Sequence, residues 1–136
     1  MIAKTFSATV LGIDANLIEV EVDVTVGMSV FNIVGLPDGT IKESRDRVLS
    51  AVNNSGFSFP VRRVVVNLAP ATLRKIGSGF DLPIALALLG TMGLFPPENL
   101  SRAMVVGELT LEGAIRPVRG ILPVAVATKD HELEQL

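Results

Sequence analysis

The chain has no cysteine and a single histidine, His131. Disulfide frameworks, zinc ribbons and thiol chemistry are therefore excluded, and no histidine metal site can be assembled. Charge of one dominant sign is also lacking: 12 Lys and Arg stand against 14 Asp and Glu, a net charge of −2. That balance excludes a whole-surface electrostatic grip on nucleic acid and leaves room only for local basic clusters. No apolar run reaches the roughly 20 residues needed to cross a bilayer. The amino terminus, MIAKTFSATVLGIDANL, alternates along its length and has no apolar core with a cleavage site. It reads as a strand rather than a signal peptide, so a cytoplasmic location and no membrane partner are expected. No GxxxxGK[ST] occurs, and none of Lys4, Lys42, Lys75 and Lys129 follows a glycine, so no phosphate-cradling P-loop can form.

What is present fits one domain with a sizeable core, since 49% of the 136 residues are hydrophobic and 19% are charged. No linker, repeat or low-complexity tract divides it. Lys4 to Leu11 reads as a strand. Leu17 to Val26 alternates Ile18, Val20, Val22, Val24 and Val26 with Glu19, Glu21, Asp23 and Thr25, the pattern of a half-buried strand. Gly27 and Met28 suggest a tight turn that pairs it with Ser29 to Val34 as a hairpin. Thr40 and Glu43 have capping-box spacing for a helix that buries Ile41, Val48, Leu49 and Val52 and ends at Asn53 to Gly56. Its charged residues Lys42, Glu43, Arg45, Asp46 and Arg47 read as a solvated face.

The most informative run is RRVVVNLAPATLRKIGSGFDLPIALALL, Arg62 to Leu89. Val64 to Leu68 reads as an interior strand stopped by Pro70. Gly77, Ser78 and Gly79 supply a turn, Asp81 is placed to cap the following helix, and Leu82 to Phe95 carries no charge, as a helix enclosed on nearly all sides would. Pro96 and Pro97 end it. Ala103 to Leu111 reads as a strand, Ala114 to Val118 as a shorter one pairing back, and the segment from Gly120 as a helix. The order predicts an α+β or α/β layered fold, a mixed sheet with helices packed on one face.

Three blocks, NIVGLPDGTIKESRDRV, FPVRRVVVNLAPATLRKIGSGFDLPIALALLG and VVGELTLEGAIRPVRGILPVA, resemble the amino-terminal domain of magnesium-chelatase-like AAA+ ATPases of the ComM/YifB type. The resemblance covers essentially the whole chain in order. It implies the ribosomal protein S5 domain 2-like fold shared with the Lon protease domain. It also implies that residues 1–136 are a single domain cut from a longer chain with a downstream AAA+ module. ATP and magnesium would belong to that module, and none to this domain. The implied partners are the downstream domain, sister subunits of a hexamer, and DNA. The implied process is branch migration during recombination of incoming strands in natural transformation.

The Lon resemblance allows the catalytic positions to be checked. Lon-type proteases place a serine at the glycine turn and a lysine after the GELTL-like strand. Here Gly79 stands at the nucleophile position, with Ser78 one residue early, and Leu122 stands at the general-base position. Arg116 and Arg119 stay protonated and accept no proton. No catalytic residue is therefore expected. A divergent Ser-Lys hydrolase, for instance through Ser78 and Lys75, and a magnesium-chelatase subunit are the alternatives. The same glycine turn with Arg74 and Lys75 nearby has the look of a phosphate site, against which the carboxylate of Asp81 competes. The remaining candidate contact set is basic: Arg62, Arg63, Arg74, Lys75, Arg116 and Arg119. Either these side chains cover strand edges and pair with Glu108 or Glu112, or they neutralise a DNA backbone.

Overall fold

The computed structural model describes all residues, 1–136. Strands β1 (Ile2–Leu11), β2 (Asp14–Thr25), β3 (Val30–Val34) and β4 (Arg63–Ala69) form one sheet in the order β1-β2-β4-β3. Helix α1 (Gly39–Asn54) connects β3 to β4, and α2 (Asp81–Thr91) follows β4. A 3-10 turn (Pro97–Leu100), the small antiparallel pair β5 (Glu108–Leu109) and β6 (Ile115–Arg116), and α3 (Ile121–Asp130) complete the chain. The fold is mixed α+β with a mixed sheet. No helix is long and apolar enough to cross a membrane.

The alternation in β2 builds the core. Ile18, Val20 and Val22 are buried, and the register sets Val20 and Val22 beside Leu68 and Val66 of β4. On the same face lie Ile41, Val48 and Val52 of α1 and Ile84 and Leu88 of α2, joined in one cluster. Each such side chain contributes about 1.5–3 kcal/mol on burial. Helix α2 comes close to the sheet at Gly90, where an added Cβ would sit 3.4 Å from that of Ala3.

Four sequence expectations change. First, β3 is not the hairpin partner of β2: β4 lies between them, antiparallel to β2 and parallel to β3. Parallel neighbours need a crossover of a dozen or more residues, which α1 provides. The valine-rich β4, with Val64, Val66 and Leu68 fully buried, thereby takes an interior slot. Second, the helices are not all on one face. Ala8 pairs with Leu17, one residue out of phase with the core positions Ser7 and Ile18, so this pair points to the opposite face. There Ala8, Val10, Ala15 and Leu17 pack with Val124 and Ala127 of α3. Third, Ala103 to Leu111 is not a continuous strand. Val105 N–H donates to Phe6 of β1 (2.8 Å), but Gly107 turns away to exchange hydrogen bonds with Gly79 (2.9 Å) and Leu82 (3.0 Å). Fourth, Leu49 is exposed and Ser44 is buried in α1, and the cap is Asp38, which accepts from Ile41 N–H, rather than Thr40.

Candidate functional site

The glycine turn lies across one end of the sheet, between Thr9 of β1 and Asp38, which follows β3. Ile76 N–H donates to Thr9 Oγ1 (3.2 Å) and Gly77 N–H to Asp38 Oδ2 (3.3 Å). Gly79, Phe80 and Leu82 then approach the segment at Gly107 so closely that a Cβ on Gly107 would lie 3.0 Å from Leu82. Between this turn and the segment Pro117–Gly120 opens a cleft of about 560 Å³, lined in part by Val10, Gly77, Ser78, Gly79, Val118 and Arg119. A Cβ on Gly79 would meet Val118 at 3.3 Å, so a serine there would require Val118 to shift. Leu122 lies outside this cleft, on α3, where it lines a neighbouring groove with Ile13 and Val126. Gly79 and Leu122, the two positions marked by the Lon resemblance, are thus not brought into one cavity.

Lys75 does not belong with the contact candidates. Its side chain is fully buried, and Nζ donates to the carbonyls of Gly35 (2.6 Å) and Pro70. Burial pushes its pKa below the ordinary lysine value. Its backbone pairs with Leu36 and Asp38, so the residue fastens the loop before α1 to the segment before the glycine turn. Its ammonium is directed at carbonyls rather than at Ser78. Such burial was hidden because lysine is almost never fully buried unless partnered, and these partners are backbone atoms that no side-chain pattern announces.

Asp81 is likewise not a helix cap. The cap residue of α2 is Phe80, and the Asp81 carboxylate, fully buried, accepts from Ser44 Oγ, from Arg47 Nε (2.6 Å) and Nη2 (3.1 Å), and from Leu109 N–H (3.0 Å). Arg47, read from sequence as part of a solvated face, turns inward to this carboxylate, whose hydrogen bonds raise the guanidinium pKa above its ordinary value. One buried acid thus ties α1, α2 and β5 together. The signal that could have found it is the serine at position 44 on the apolar face of α1.

The five remaining basic candidates separate into two groups. Arg62 and Arg63 lie at the start of β4, and Arg74 lies beyond its other end, before the glycine turn. Arg119 lines the cleft, and Arg116 on β6 faces Glu108 across the ladder. All five are exposed, and no carboxylate oxygen lies within 4.0 Å of any of them, Glu108 and Glu112 included.

The family model for subunit ChlI of magnesium chelatase matches residues 20–136. The chain belongs to this magnesium-chelatase-like family. Within it, the competence protein ComM of Haemophilus influenzae is 40% identical over 133 residues, covering 98% of this chain and 26% of ComM. YifB of Escherichia coli is 46% identical over 134 residues, covering 91% of this chain and 26% of YifB. An uncharacterized protein of Mycobacterium tuberculosis is 44% identical over 128 residues, covering 94% and 25%. The chain spans about a quarter of the length of these ChlI-family relatives.

Proposed function

We propose that this chain is a non-catalytic amino-terminal domain of a magnesium-chelatase-like AAA+ ATPase that acts in DNA branch migration and recombination. Its own contribution is assembly and contact with the DNA backbone. On this reading the fold is S5 domain 2-like, the protein is cytoplasmic, and ATP and magnesium belong to a downstream module shared with sister subunits. The relationship to a competence protein supports a role in natural transformation.

The observation that carries it is the cleft beside the glycine turn. Its wall holds Gly79 against Val118 where a nucleophile would stand, Leu122 faces a different groove, and Arg119 stands in the lining. A guanidinium that stays protonated cannot act as a general base, but it can neutralise a phosphate. Arg74 before the glycine turn and Arg116 before Pro117, exposed and without a carboxylate partner, extend that basic character on the segments that flank the cleft. Incubation with unfolded protein and with a serine-directed probe should give neither cleavage nor labelling. Turnover abolished by Ser78→Ala would overturn the reading in favour of a divergent hydrolase.

A further inference from the structure

The two ends of β2 carry surfaces that complement each other. At one end the loop after β2 and the approach to β4 expose Val26 (85%), Met28 (83%) and Val61 (84%). Arg62 and Arg63 stand among them: Arg63 lies opposite Thr25 in the ladder, and a Cβ on Gly27 would touch Arg63 at 3.5 Å. This end, called the knob below, is apolar with a basic pair beside it. Three large apolar side chains so fully exposed on adjoining turns mark an interaction surface rather than scattered surface residues.

At the other end, the turn joining β1 to β2 faces α3 across a groove of about 490 Å³. Its apolar lining includes Ile13 (88% exposed), Leu122 (73% exposed) and Val126. Its charged lining residues are Asp14 and Asp130, neither of which is ion-paired. Leu122, Val126 and Asp130 recur at the four-residue spacing that aligns side chains on one helical face. The groove is therefore apolar with acidic lining residues, opposite in sign to the knob.

We propose that the knob of one copy of this chain docks into the groove of the next, with Met28 among the leucine and valine of α3 and Arg62 and Arg63 against Asp14 and Asp130. The 12 residues of β2 separate the two surfaces, a span of about 40 Å at 3.3 Å per residue. Because the surfaces lie at opposite ends of the strand, docking end-on is heterologous. It propagates head to tail, into a ring if its rotation closes and a filament if it does not. Opposed charge sets the register of docking, and the apolar side chains supply the area removed from water. This contact goes beyond the DNA reading and does not depend on it, since neither surface contains Arg74, Arg116 or Arg119.

The absence of cysteine gives a clean cross-linking test. Met28→Cys and Val126→Cys proteins are oxidised separately and as a mixture. The mixture should form disulfide-linked dimers, while each variant alone should not. A protein carrying both substitutions should form closed or extended oligomers. Adding Arg62→Glu and Arg63→Glu to the Met28→Cys protein should slow cross-linking by roughly tenfold or more, the range of electrostatic steering. Placing Asp14→Arg and Asp130→Arg on the Val126→Cys partner should restore the rate. Cross-linking of Met28→Cys with itself as readily as in the mixture would overturn the proposal in favour of a symmetric knob-to-knob pair. A mixture that fails to cross-link, or a charge exchange that fails to restore it, would also overturn it. A protein that remains monomeric yet binds DNA would reject this contact and leave the preceding reading standing.

Discussion

At the residue scale, the buried carboxylate of Asp81 has the largest consequence. A helix cap is worth about 1 kcal/mol, whereas removing one partner of a buried ion pair costs about 3–5 kcal/mol because the other charge is left without compensation. Arg47→Met should therefore destabilise the fold by about 3–5 kcal/mol in urea unfolding. The double variant Arg47→Met, Asp81→Leu should cost clearly less than the sum of the single changes, because it removes the orphaned charge along with its partner. Additive losses would show that the two groups are not coupled. The elevated Arg47 pKa adds no pH dependence in the ordinary range. A base whose folded value is raised keeps its full contribution below the unfolded value, and for arginine the loss begins only above ordinary working pH. Neither this pair nor the buried Lys75 was legible as such in the sequence. Arg47 and Asp81 are 34 positions apart, and Lys75 is held by backbone carbonyls of Gly35 and Pro70, of which Gly35 is 40 positions away.

At the element scale, the packing depends on a close backbone approach at Gly35. This residue has φ +105°, and a Cβ there would run into the Leu68 carbonyl, while its own carbonyl receives Lys75. Gly35→Ala should thus destabilise by about 1–3 kcal/mol through strain and crowding. Circular dichroism melting of this variant beside Gly39→Ala, where an added Cβ meets nothing within 4 Å, checks the claim. Equal stability of the two variants would refute it. The strands and helices themselves were largely readable: the alternation of β2, the valine run of β4, the uncharged α2 and the pairing of β5 with β6 all occur. Neighbour relations were not. Nothing local in Val30 to Val34 states that it lies beside β4 rather than β2, and nothing local in Ala103 to Leu111 states that Gly107 leaves β1 for the glycine turn.

At the scale of the whole molecule, the fold carries three surfaces at the two ends of one scaffold. The cleft with Gly79 and Arg119 adjoins the groove with Leu122, the two sharing Gly12 of the turn between β1 and β2, and the knob with Arg62 and Arg63 lies at the opposite end of β2. The basic residues that the sequence grouped into one set are thereby divided between two places, with Lys75 removed into the core. The division gives the central claim its most direct measurement: affinity for forked DNA across a salt series, in the unaltered protein and in the double variant Arg74→Ala, Arg119→Ala. Binding by the unaltered protein should weaken linearly in log salt, and the double variant should show a slope smaller by about one for each phosphate that its missing arginines would have neutralised. No binding at low salt, or a slope unchanged when both arginines are removed, would contradict it.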